Sequence, residues 1–68
     1  MTIVKVVELI GGSEKGFDDA VANILKEASK TIKNIKSIYV KDMKAEVRDN
    51  KIISYGVIAK VSFEVERE

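Results

Sequence analysis

Ile53-Ser54-Tyr55-Gly56-Val57-Ile58-Ala59-Lys60-Val61-Ser62-Phe63-Glu64-Val65 decides how this chain folds. Every odd position is apolar, and the residues between are mostly small or charged. A period of two held over this length predicts one long strand with a buried face. Ordinary strands run about 5–6 residues. So long a strand needs a cover for its odd face, and its even face is left for something outside the chain to meet.

The chain has 68 residues, enough for one domain. A domain of roughly 60 residues buries only about 60% of its unfolded surface and leans on a disulfide, a metal or an oligomer. There is no Cys and no His. Disulfides, thiolate sites and the common zinc sites are therefore excluded, and self-association remains. The lack of Cys points to the cytoplasm. Net charge is +1, and no basic block stands apart, which argues against nucleic acid as a partner. The apolar start of the chain, Met1 to Val7, is too short for a membrane span and reads as strand.

Upstream, Ile3 to Ile10 is rich in β-branched residues and reads as a first strand that stops at Gly11-Gly12. Ser13 offers a hydroxyl to cap a helix, with Glu14 in its first turn. Phe17, Ala20, Val21, Ile24, Leu25, Ala28, Ile32 and Ile35 keep a 3–4 spacing and predict an amphipathic helix of about five turns. Ser37 to Arg48 reads as a second strand whose phase changes: Ile38 and Val40 are apolar at even positions, Met43, Ala45 and Val47 at odd ones. One extra residue near Lys41-Asp42 keeps both sets on the helix side, which predicts a β-bulge there. Asp49-Asn50-Lys51 reads as a three-residue turn that sets Arg48 opposite Ile52. The order is β-α-β-β. The expected fold is α+β: a three-stranded antiparallel sheet of order 1-3-2 wrapped around one amphipathic helix, in one domain over residues 1–68.

Chemistry-bearing motifs fail on inspection. Gly11-Gly12-Ser13-Glu14-Lys15-Gly16 is followed by Phe17-Asp18, not by the Lys and Ser/Thr of a phosphate loop. No serine has a histidine base, so the chain reads as non-enzymatic. Asp42 and Glu46 share a strand face but stand about 13 Å apart along it, too far for a paired-carboxylate site. Symmetry-related copies could bring either one together around Ca²⁺ or Mg²⁺, so both are candidate metal ligands across subunits.

Lys5-Val6-Val7-Glu8-Leu9-Ile10-Gly11 with Ser13, Phe17 and the alanine-rich helix, Asn34-Ile35, Tyr55 and Val61-Ser62-Phe63 together resemble the dodecins, small flavin-binding proteins. The resemblance covers almost the entire chain. It implies the same strand–helix–strand–strand layout and a hollow shell of twelve subunits with tetrahedral symmetry. It implies riboflavin or FMN as the ligand, stacked on a Trp at the start of the second strand and hydrogen-bonded by a Gln in the third. Those positions fall on Ser37 and Gly56, so the ring and the amide are both missing. Losing a stack worth about 1–3 kcal/mol together with a hydrogen bond weakens affinity by about a hundredfold. Periodicity puts Ser37 and Gly56 on the face away from the helix, with Tyr39, Ser54 and Ile58. Tyr39 is the aromatic residue placed there, able to stack on a ligand but better suited to a subunit contact. The expectation is a shell that stores a small ligand with weakened flavin binding; the alternative is a structural assembly without flavin that binds a cation or anion through repeated Asp42, Glu46, Lys44 or Arg48 around symmetry axes.

Overall fold

A computed structural model describes residues 3–65 and contains four elements: β1 (Ile3–Ser13), α1 (Phe17–Ala28), β2 (Ile35–Arg48) and β3 (Lys51–Val65). Met1 and Thr2, which the sequence reading joins to the first strand, lie outside the described residues. The sheet order is β1-β3-β2, and β3 is antiparallel to both neighbours. The alternation of residues 53–65 therefore does what it predicts: β3 is the central strand and the longest.

Cross-strand partners share a face, so the register assigns every side chain to a side. Val57, Ala59 and Val61 lie beneath α1, opposite Gly11, Leu9 and Val7 of β1 and Met43, Val40 and Ile38 of β2. With Ala20 and Ile24 they form the buried core. The predicted bulge is present: Val40 pairs with Ala59 and Asp42 with Ile58, leaving Lys41 as the extra residue. A second register shift between Ile35 and Ser37 isolates Lys36.

Several boundaries differ from expectation, each for a local reason. β1 does not stop at the glycines but runs on to Ser13, because Gly11 and Gly12 pair with Val57 and Gly56. Ser13 is not the helix cap. Its Oγ accepts the Lys15 N–H at 2.8 Å and donates to the Asp19 carboxylate at 2.6 Å, closing the turn instead. The residue preceding the helix is Gly16, whose carbonyl accepts the first helical bond from the Ala20 N–H at 3.0 Å. The helix has 12 residues, not five turns. Ser29 Oγ donates to the Lys26 carbonyl at 2.9 Å, a side-chain bond of the kind that competes with helix continuation. Asn34 then takes a left-handed backbone (φ 64°), and Ile35 opens β2 opposite Phe63. Ile32 and Ile35 carry the 3–4 spacing past the true end of the helix.

The hairpin turn has two residues, not three. Arg48 pairs with Lys51 and Val47 with Ile52. Asp49 and Asn50 both have positive φ (52° and 65°), the pair that a type I′ hairpin requires. The residue assigned to the loop is absorbed instead by a register shift beside Glu46 and Val47. A 12-residue helix is about 18 Å long, against about 50 Å for the 15-residue β3. The molecule is correspondingly elongated, 55 × 19 × 13 Å. The sheet outruns its cover, and the β2–β3 end projects as an arm.

Candidate functional site

The face turned away from α1 reads as rows across the three strands. Val6, Ser62 and Ser37 form one row; Glu8, Lys60 and Tyr39 the next; then Ile10, Ile58 and Asp42; then Gly12, Gly56 and Lys44; finally Ser54 and Glu46. The antiparallel register puts all five expected site residues, Ser37, Tyr39, Asp42, Glu46 and Gly56, on this one face.

The five are not gathered into one place. Asp42 and Gly56 line a hollow of about 320 Å³, together with Ile10, Ile58 and Lys44. Ser37 lies opposite Ser62, and the six residue steps along β3 from Gly56 to Ser62 amount to about 20 Å. Within one chain the two positions where the flavin contacts are expected cannot touch one small ring. Ser37 is also engaged: its hydroxyl shares a 2.5 Å hydrogen bond with that of Ser62, which is buried. Tyr39 is 60% exposed, opposite Lys60, and has no aromatic partner among the described residues. The other tyrosine, Tyr55, is on the helix side and meets Phe17 edge-to-face at 4.9 Å.

Gly56 stands opposite Gly12. Two facing glycines leave the sheet backbone bare, and the Lys44 alkyl chain lies alongside, its Cγ and Cε 3.5 Å from where a Cβ of residue 56 would stand. Lys44, expected as one of the residues that could hold an ion around a symmetry axis, stands on this face opposite Gly56. Its ammonium is 3.0 Å from Glu46 Oε1, so one of the two candidate metal-ligating carboxylates is occupied by a cation of its own strand. Ile10 escaped notice, although the period-two pattern of β1 places Val4, Val6, Glu8 and Ile10 on the outer face. It is 78% exposed.

Charges on this face are paired in sequence order: Lys36 with Glu64 at 3.6 Å, Lys41 with Glu8 at 3.5 Å, Lys44 with Glu46. Lys41 is the bulged residue, and the bulge lets its side chain reach past β3 to β1. Asp42 has no ion-pair partner among the described residues. No group of three Asp or Glu able to hold a metal occurs among them either. The residues therefore do not fit flavin through a stacked ring and an amide: the chain has no Trp, position 56 has no side chain and the Ser37 hydroxyl is taken. What remains is a shallow hollow with an apolar wall, a bare backbone floor, one carboxylate and one ammonium. Among the described residues, no helix is long and apolar enough to cross a membrane.

Comparison with known proteins agrees with this geometry. The dodecin family model matches residues 3–66. The dodecin of Thermus thermophilus is 31% identical over 64 residues, 94% of this chain and 93% of that protein. A solved variant of the Thermus dodecin with a tryptophan changed to phenylalanine superimposes with a TM-score of 0.92 at 30% identity, covering 98% of this chain and 100% of that one. The dodecin of Streptomyces coelicolor gives 0.91 at 27% identity, over 98% and 96%. A calcium-chelating antigen of Mycobacterium tuberculosis, described as a calcium dodecin with a novel calcium-binding site, shares the fold (TM-score 0.80, 24% identity, 97% and 94% covered). With the β-α-β-β order, the 1-3-2 sheet and a family match over almost its whole length, this chain belongs to the dodecin family.

Proposed function

We propose that this protein is a non-enzymatic, cytoplasmic homo-oligomeric shell of twelve copies that stores a small ligand on the outer sheet face, between subunits, and has lost tight flavin binding. The observation that carries the reading is the state of that face. Val4, Val6, Ile10 and Tyr39 are each more than half exposed there, beside a hollow floored by Gly56. Large exposed apolar side chains gathered on one face mark an interaction surface. A chain this small has no second layer of its own to cover them. Family membership supports the shell. The missing Trp and the Gly at position 56 support weak flavin binding.

Titration of riboflavin and FMN, read by flavin fluorescence, tests the ligand side. The expected result is little quenching at micromolar protein. Strong quenching with a sub-micromolar Kd would show that another group, with Tyr39 foremost, holds the ring. Native mass spectrometry tests the shell.

A second reading is an ion-binding assembly in which copies of a carboxylate meet at a symmetry axis. The observation that favours it is Asp42, which has no ion-pair partner among the described residues, whereas Glu46 has Lys44. The calcium-chelating relative supports no more than the compatibility of the fold with this use.

A further inference from the structure

We draw no further inference here: the strongest candidate, the apolar groove between α1 and the free edge of β1 with Leu9, Ile24 and Ile32 in its wall, has its carboxylate, Glu27, already paired with Lys30 at 3.1 Å, and nothing in the structure shows what covers it.

Discussion

A methyl group at position 11 would overlap Ile24 Cγ1, with Cδ1 3.0 Å away and the Ala20 carbonyl oxygen at 3.5 Å. Gly11 thus sets how closely α1 approaches the sheet, and Ala20 and Ala59, both fully buried, complete the close contact. Gly11→Ala should destabilise the fold by about 1–3 kcal/mol, the usual range for overpacking, as read from urea or thermal unfolding at fixed protein concentration. Gly56 is the contrasting case. A Cβ there would meet the Lys44 chain and backbone at ordinary contact distances, and its φ is not positive. Gly56→Gln combined with Ser37→Trp should fold and should increase riboflavin affinity about a hundredfold, by the stack and hydrogen bond it restores. Fluorescence titration checks this, and unchanged affinity would locate the ligand elsewhere. The two glycines look alike in the sequence. Only the position of α1 tells that one is a packing requirement and the other has room for a side chain, because the difference depends on side chains far away in the chain.

Among the elements, the strands were legible and the helix end was not. Alternation in residues 53–65 and the phase change around Lys41 both come from one half-buried face, so they survive in the sequence as pattern. The helix end does not, since Ile32 and Ile35 are apolar for other reasons: one lines the α1–β1 groove and the other opens β2. Ser29 and Asn34 were the available stop signals, and a spacing count passes over them. The turn was misread by one residue because a register shift in the arm conserves parity just as a longer loop does. The two-residue turn has its own consequence. Asn50 sits at φ 65°, where a β-branched side chain is strongly disfavoured and glycine is at ease. Asn50→Gly should be neutral or stabilising by a few tenths of a kcal/mol, and Asn50→Val destabilising by about 1–2 kcal/mol. Denaturant midpoints of the two variants check the sign.

For the whole molecule, the governing fact is that one short helix covers a sheet nearly three times its length, so apolar surface is left bare on both sides. Burying it between copies links stability to association. The unfolding temperature should rise with protein concentration, and a flat dependence across a hundredfold range would argue for a stable monomer. The electrostatics of the outer face bear on what such an assembly holds. Three of its carboxylates are already matched by lysines at 3.0–3.6 Å. These exposed pairs stabilise one chain little, about 0–1 kcal/mol each, and each sets a lysine beside Glu8, Glu46 or Glu64. Asp42 is left, at the rim of the hollow. If copies of Asp42 meet at an axis, their repulsion favours an oxygen-coordinated Ca²⁺ or Mg²⁺ between them. Chelator should then lower the unfolding temperature of the assembly, and Asp42→Asn should abolish that sensitivity. Glu46→Gln should leave the sensitivity in place, because Glu46 does not line the hollow and lies beside Lys44. If chelator changes nothing, and millimolar Ca²⁺ gives no heat in calorimetry, Asp42 is solvated surface. The hollow is then left to neutral or weakly charged ligands that can lie on its bare floor at Gly56.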